Sequence, residues 1–205
     1  ESDLMKRYDV SRATARKAME LLSNNGLIEK KPGRGSEVIA NVPLSSPKRV
    51  SSYIKKNVDE FAVPQKRLIE SGVVTMPQHV ARELGLAEGT KAFCLRRVRV
   101  SGDRPFYLET IYYEDGYVPH IAERDFSKES LRAYLNNSCD IRWSRVSQKI
   151  GACVATDEQA ELLGISAGAP LLNITRVSHD QQNVPREYVE SFYRADLYRL
   201  EIELD

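Results

Sequence analysis

Two arginines separated by a single residue stand in a predicted strand, Cys94 to Val100. Because side chains of a β-strand point to alternate faces, Arg97 and Arg99 are expected on the same face of a sheet. Tyr107 and Glu109, on the predicted returning strand, share a face by the same rule. Two guanidinium groups suit a phosphate or carboxylate, and a nearby carboxylate accepts hydrogen bonds from hydroxyl groups. These residues fit either an anion-binding site or a solvent-exposed sheet face that carries several ion pairs.

These strands belong to an internal repeat with an offset of 79 residues, in which residues 81–98 recur as residues 160–177. Each copy predicts a short helix, a strand, a hairpin turn and a second strand. With a helix at residues 130–135 between them, the two copies predict an α+β domain around an antiparallel sheet.

The two copies differ at the arginine pair. Arg176 matches Arg97, whereas Ser178 stands where the first copy has Arg99. Since only one copy carries both arginines, the pair is not required by the repeated structure, and this difference favours a role in binding.

The N-terminal segment carries a second set of basic residues on its own predicted elements. Apolar residues between Leu4 and Tyr8 predict a short amphipathic helix. Ser11 is a natural N-cap for a second helix over residues 12–24. Residues 27–31 and 36–40 predict two short strands, and the tip between them is rich in glycine.

A helix, a capped helix and a hairpin in this order are typical of a winged helix-turn-helix, which enters the DNA major groove. Arg12 and Arg16 lie at the start of the second helix, and Arg34 stands between two glycines at the hairpin tip. An arginine in the groove can bind guanine through two hydrogen bonds, and phosphate contacts set the register. A plain structural subdomain is the alternative interpretation.

Charge and composition fit a two-part protein. Residues 1–49 hold ten Lys or Arg against six Asp or Glu, a net charge of +4, while the rest of the chain carries −3. That sign suits a phosphate-facing module on a neutral-to-acidic body. Two prolines and several serines around residues 41–49 predict a linker. The expected domains are therefore residues 1–40 for DNA binding, 41–49 as linker and 50–205 as the larger domain.

Several classes of protein are excluded by what the sequence lacks. No apolar run is long enough to span a membrane, and no segment is typical of a secretion signal. The three cysteines are scattered, and neither they nor the three histidines show a metal-ligand spacing. We expect a cytoplasmic protein with no cofactor, no metal and no membrane partner.

Residues 1–40 resemble the GntR family of bacterial transcription regulators. The matching motifs are Glu1-Ser2-Asp3-Leu4-Met5, Val10-Ser11-Arg12-Ala13-Thr14-Ala15-Arg16, Gly26-Leu27-Ile28 and Gly33-Arg34-Gly35-Ser36. The resemblance implies DNA contacts from Ser11, Arg12, Thr14 and Arg16 in the recognition helix and from Gly33, Arg34 and Gly35 in the wing. The family's first helix has no counterpart here, so we expect a winged helix that lacks its first helix.

Residues 50–205 resemble the UTRA effector domain of the HutC subfamily, whose fold is that of chorismate lyase. The matching motifs include Leu95-Arg96-Arg97-Val98-Arg99 and Pro185-Arg186-Glu187-Tyr188. The resemblance implies an effector site made of Arg97 and Arg99 for the anion, Glu109 and Glu187 for hydroxyl groups, Tyr193 to close the pocket and Ser130 as a further donor. Arg132 stands where the family often has tyrosine, which suggests a more anionic or differently shaped effector.

The leading hypothesis is a ligand-responsive repressor that binds double-stranded operator DNA as a homodimer. Its effector would be a small anionic metabolite, and phosphosugars are the most common precedent for this domain. Two alternatives stay open: a DNA-binding protein with a purely structural dimerisation domain, and a lyase-like enzyme. The enzyme alternative has little support, because the sequence shows no nucleophile-base pair, no metal cluster and no phosphate-binding loop.

Overall fold

The structure is a computed structural model that describes residues 2–24, 28–31, 35–38, 49–54 and 65–203. The described residues form two compact units. One unit contains the described parts of residues 1–41 together with residues 128–142, and the other contains the described parts of residues 42–127 and 143–205. No helix in the described ranges is long and apolar enough to cross a membrane.

The first unit begins with two helices and a hairpin, as the sequence predicts. Helices α1 and α2 cover Ser2–Tyr8 and Arg12–Asn24, and antiparallel strands β1 and β2 cover Ile28–Lys31 and Gly35–Val38. The backbone N–H of Thr14 donates to the Ser11 hydroxyl at 3.2 Å, which is the expected N-cap bond. Ala15 and Met19, one turn apart on α2, are buried. These contacts fix the start of α2 and the face that it turns inward.

The same unit contains helix α4, which covers Leu131–Asn137. The Ser130 hydroxyl caps this helix by accepting the backbone N–H of Ala133 at 3.3 Å. Leu131 and Leu135 are buried. The predicted helix at residues 130–135 therefore exists and extends two residues further.

The second unit is built on a six-stranded antiparallel sheet. Its strands are β4 (Gln65–Thr75), β5 (Lys91–Ser101), β6 (Arg104–Glu114), β7 (Arg145–Val154), β8 (Pro170–His179) and β9 (Pro185–Arg194). They lie in the order β4-β5-β6-β9-β8-β7. Across the sheet, the first, second and third strands of one repeat are followed by the third, second and first strands of the other. This mirrored order places an approximate twofold axis between β6 and β9 that relates the two repeats.

Each repeat contains one more strand than the sequence predicted. Strands β4 and β7 precede the helices α3 (Gln78–Leu84) and α5 (Asp157–Leu163), so a repeat consists of strand, helix, strand and strand. Sequence analysis missed both strands because they form the two edges of the sheet. Val73 on β4 is 50% exposed and Val154 on β7 is 67% exposed, so neither strand shows a clean alternation of apolar and polar residues.

Both helices pack on one face of this sheet, and each one crosses the boundary between the repeats. Helix α3 of the first repeat packs against Val177 and Tyr188 of the second. Helix α5 of the second repeat packs against Val98 and Leu108 of the first. This exchange joins the repeats in a shared core on the helix-covered face. Residues of β5 and β6 that alternate with the core positions point to the other face.

The remaining elements of this unit are short. Strands β3 (Arg49–Ile54) and β10 (Tyr198–Glu203) form a separate two-stranded antiparallel sheet, in which Ile54 lies opposite Tyr198. A 3-10 turn covers Ile121–Glu123. The end of the described chain is thereby paired with the strand that begins the second unit.

Candidate functional site

The strand register places the polar residues of the second unit on one face of the six-stranded sheet. Arg97 lies opposite Glu109, and Arg99 lies opposite Tyr107, which in turn lies opposite Tyr193. Residues directly opposite each other in neighbouring strands point to the same side. We call this side the site face, and its polar members include Lys66, which lies opposite Arg99 on β4, together with Arg97, Arg99, Tyr107, Glu109, Tyr113, Arg176, Ser178, Glu187, Ser191 and Tyr193.

The first predicted pair on this face is a buried ion pair. The Nε of Arg97 donates to Oε1 of Glu109 at 2.6 Å, and the two side chains are 9% and 10% exposed. The guanidinium also reaches the carbonyl oxygen of Phe126 at 3.4 Å. Burial lowers the pKa of the Arg97 guanidinium, but the charge and hydrogen bond of Glu109 together with Tyr107 and Tyr113 outweigh it, and the pKa is raised. Arg97 therefore stays charged, and the carboxylate beside it largely balances that charge.

Arg99 differs from Arg97 because, among the described residues, it forms no ion pair with an acid. In the described part of the chain, its Nε is buried and has no hydrogen-bond partner. Burying a donor on a charged group without an acceptor is unfavourable. An anion with several acceptor oxygens would supply the missing partner.

A second buried network surrounds Glu187, which is only 3% exposed. Its Oε1 accepts the Tyr113 hydroxyl at 2.6 Å. Its Oε2 accepts the Ser178 hydroxyl at 2.5 Å and Nη2 of Arg176 at 3.0 Å. At least three donors thus occupy the carboxylate, and a hydroxyl group of an effector would have to share it with them. The predicted role of Glu187 as an acceptor for hydroxyl groups stays a prediction.

Three tyrosine rings stack at the other end of the site face. Tyr107 and Tyr193 are 4.6 Å apart between ring centroids, and Tyr193 and Tyr198 are 4.1 Å apart. Offset stacking of this kind adds about 0.5–1.5 kcal/mol per pair beyond the area it buries. The stack gives Tyr193 a fixed position beside Tyr107 on the site face.

The pKa of the Tyr107 hydroxyl is affected by burial and by the charged groups around it. Burial raises its pKa to about 12, and the negative charge of Glu109 acts in the same direction. The positive charges of Arg99, Arg97 and Arg176 act in the opposite direction. The strand register places these three arginines and Tyr107 on the same face of the sheet.

The predicted DNA contacts of helix α2 lie at an exposed helix start. Ser11, Arg12, Thr14 and Arg16 are all exposed. The Ser11 and Thr14 hydroxyls are 2.8 Å apart, and Arg16 pairs with Glu20 at 3.2 Å along the helix. The pair is solvent-exposed and weak, so Arg16 can exchange its partner for a phosphate or a base.

The predicted wing is described in part. Gly35 begins β2 with φ +84°, a backbone conformation that favours glycine. Gly33 and Arg34 lie outside the described residues. Their predicted contacts with DNA therefore stay predictions that rest on the sequence.

The structure brings together five of the six predicted effector-binding residues. Arg97, Arg99, Glu109, Glu187 and Tyr193 share the site face, whereas Ser130 belongs to the other unit, where it caps α4. The sequence prediction missed Arg176, Tyr113 and Ser178 as members of this face. The repeat already aligned Arg176 with Arg97 and would have indicated it, but no sequence pattern indicated that Tyr113 and Ser178 bind one carboxylate.

Two protein-family models match the chain. Residues 1–38 match the model of bacterial regulatory proteins of the gntR family, and residues 61–199 match the model of the UTRA domain. The second match alone covers more than half of the chain. Together they span both units that the structure describes.

Individual relatives agree with these matches. The chain is 28% identical over 198 residues to the HTH-type transcriptional repressor NagR of Bacillus subtilis, covering 97% of this chain and 81% of the relative. The crystal structure of PhnF from Mycobacterium smegmatis matches with a TM-score of 0.62 at 27% identity, covering 96% of this chain and 86% of that one. The structure of the possible transcriptional regulator YydK of Bacillus subtilis matches with a TM-score of 0.64, covering 100% of this chain and 87% of that one. Its 22% identity supports the fold alone. These proteins and families belong to transcription regulation and not to enzymes.

Proposed function

Because this chain belongs to the UTRA-domain branch of the GntR family of bacterial transcription regulators, we propose that it is a repressor whose operator affinity is changed by a small anionic metabolite. The DNA is contacted by the winged helix-turn-helix of residues 1–40, and residues 41–49 link it to the effector and dimerisation domain of residues 50–205. The protein works in the bacterial cytoplasm as a homodimer of the HutC type.

The observation that carries the effector half of this proposal is the buried, unpartnered Nε of Arg99. Arg97 and Arg176 are each paired with a glutamate, so the three arginines of the site face meet only two acids, and Lys66 opposite Arg99 adds a further positive charge to this face. An anion would satisfy the donor of Arg99 and balance this charge. A phosphate ester, as in a phosphosugar, offers three acceptor oxygens and suits converging guanidinium groups.

The proposed contacts with the effector follow the predicted residues. Arg97 and Arg99 bind the anionic group, and Glu109 accepts hydrogen bonds from hydroxyl groups. Tyr193, held in the tyrosine stack, closes the pocket. Ser130 and Glu187 are proposed to add a donor and an acceptor.

The DNA half is tested by selecting operator sequences from a random duplex library with the purified chain. In an R12A/R16A variant, we expect affinity for the selected duplex to fall by at least about 30-fold, because each base contact by arginine contributes about 1–3 kcal/mol. A matched control is Arg145→Ala, which removes an exposed arginine from the edge strand β7. Equal affinities of R12A/R16A and the parent chain would contradict the proposed recognition helix.

The effector half is tested by a thermal-shift screen against hexose phosphates, phosphonates and small carboxylates. A ligand at about 100 times its Kd stabilises the protein by about 2.7 kcal/mol. We expect a stabilising anion whose effect disappears in Arg99→Gln. If no anion stabilises the chain, the sheet domain has a purely structural role.

A further inference from the structure

We infer that Arg176 is a third anion-binding arginine of the effector site, contributed by the second repeat and oriented by Glu187. This inference rests on the proposed function and adds to it a specificity-determining residue that the sequence did not single out for binding.

The first argument is that Arg176 has unused donors on the site face. Only its Nη2 donates to Glu187, and in the described part of the chain its Nε is buried without a partner. The Nε of Arg99 is likewise buried without a partner among the described residues. Two buried guanidinium donors without acceptors on the same face point to one ligand that supplies oxygen atoms to both.

The second argument is the way Glu187 is held. Tyr113 and Ser178 donate to its two carboxylate oxygens, so the carboxylate cannot turn away from Arg176 without breaking both bonds. Glu187 lies opposite Ser178 in the register, and Arg176 reaches it diagonally from two residues away. A diagonal pair uses one edge of the guanidinium and leaves the Nε side free for a ligand. Glu187 is therefore a positioning residue for Arg176.

The third argument is convergence. The charges of all three arginines act on the Tyr107 hydroxyl, although Arg97 and Arg99 lie on β5 and Arg176 lies on β8. An anion between them would contact both repeats at once. The ligand class that fits best is a phosphate or phosphonate monoester, since it presents three acceptor oxygens to the three guanidinium groups, whereas a carboxylate presents two.

The test is isothermal titration of the full chain with glucose 6-phosphate and with inorganic phosphate at constant ionic strength. In Arg176→Lys, which keeps the positive charge, we expect the affinity for both probes to fall about tenfold, as for the loss of one charge-assisted hydrogen bond. The matched control is Arg186→Lys on β9. Arg186 also pairs with an acid, Asp180 at 2.8 Å, but it points to the opposite face of the sheet.

A second variant gives a result of opposite sign. Glu187→Gln keeps the shape of the side chain and an acceptor oxygen for Arg176, and it removes the charge that competes for Arg176, so the site face would gain one positive charge. We expect its affinity for inorganic phosphate to rise several-fold. An unchanged affinity would show that Glu187 does not act on the bound phosphate through Arg176 and would overturn its assignment as a positioning residue.

A third variant tests the same inference if Arg176→Lys does not fold. The double variant R176Q/E187Q removes both charges of the pair and leaves the net charge of the site face unchanged. A tenfold loss of phosphate affinity in it would support the inference, because overall charge is unchanged. If Arg176→Lys or this double variant binds phosphate as tightly as the parent while Arg99→Gln does not, the role of Arg176 is overturned and the proposed function stands. If the parent chain binds neither probe, the proposed anionic effector fails, and the role of Arg176 fails with it.

Discussion

The two halves of the central sheet have the same topology and different chemistry. In the first repeat, Arg97 pairs with the residue directly opposite, Glu109, whereas Arg99 forms no ion pair with an acid among the described residues. In the second repeat, Arg176 pairs diagonally with Glu187. The second repeat has Ser178 where the first has Arg99. The features that the two repeats share stabilise the fold, whereas the residues that differ between them lie on the site face.

The shared features are those that terminate and pack the helices. Gly85 and Gly164, at matching positions, both end their helices in the left-handed conformation, with φ +68° and +63°. The helices then pack on the same face of the sheet. A sequence can keep these features in both copies while each copy changes the polar residues of the other face.

The largest expected effect comes from breaking the directly opposed pair. Arg97→Met leaves Glu109 charged and buried without its partner, which is expected to decrease the free energy of unfolding by about 3–5 kcal/mol. Urea denaturation followed by circular dichroism measures this loss. The variant R97M/E109L, which removes both charges, is expected to recover most of it. A loss below about 1 kcal/mol in Arg97→Met would show that the pair is not buried as described.

A smaller effect distinguishes two tyrosines at matching positions of the repeats. Tyr113→Phe removes a donor from the buried carboxylate of Glu187 and is expected to destabilise the protein by about 1.5–3 kcal/mol. Tyr193→Phe, 80 residues later, keeps the ring stack and removes a hydroxyl for which the described residues show no hydrogen bond, so its expected effect is below about 0.5 kcal/mol. Equal effects of the two variants in urea denaturation would contradict the asymmetry of the two networks.

The glycines test what the repeats have in common. Gly85→Ala and Gly164→Ala each place a side chain at positive φ, and an added Cβ would meet no atom within 4 Å. The expected loss is therefore purely conformational, about 1–2 kcal/mol at either site. Thermal unfolding of the two variants should give Tm decreases of similar size. A difference of more than about 2 kcal/mol between them would show that the helices are not equivalent.

The smallest expected effect concerns the exposed ion pair between the repeats, Arg96 with Glu158 at 2.6 Å. The hydrogen bond and charge of Arg96 lower the pKa of Glu158, so the stabilisation is present above the ordinary pKa of a glutamate and is lost as pH falls through the lowered value. Because Glu158 is 63% exposed, solvent screening limits the effect to about 0.2–0.5 kcal/mol. Urea denaturation between pH 6 and pH 3 should show the parent chain losing that much more stability than Glu158→Gln. Equal pH dependence of the two proteins would mean that the pair contributes nothing.

Much of the fold could be predicted because it depends on local signals. Ser11 is an N-cap that the sequence indicated, the helix that begins after Ser130 was predicted, and the repeat with its turns predicted the central strands. The edge strands β4 and β7 could not be predicted, since exposed edges lack the alternation that burial imposes. The site face could be predicted only in part. Strand alternation placed Arg97 and Arg99 together, but the pairing of Arg176 with Glu187 depends on cross-strand register and side-chain direction, which no single strand reveals.

The central claim is that an anion on the site face changes DNA binding, and the most direct test is fluorescence anisotropy of a selected operator duplex. The parent chain and Arg99→Gln are titrated with and without each anion of the screening panel. The account predicts that at least one anion changes the Kd for DNA by fivefold or more in the parent chain, within the usual range of allosteric coupling. In Arg99→Gln the same anion should change it by less than about twofold. An unchanged Kd with every anion, or an equal response of the two proteins, would contradict the claim.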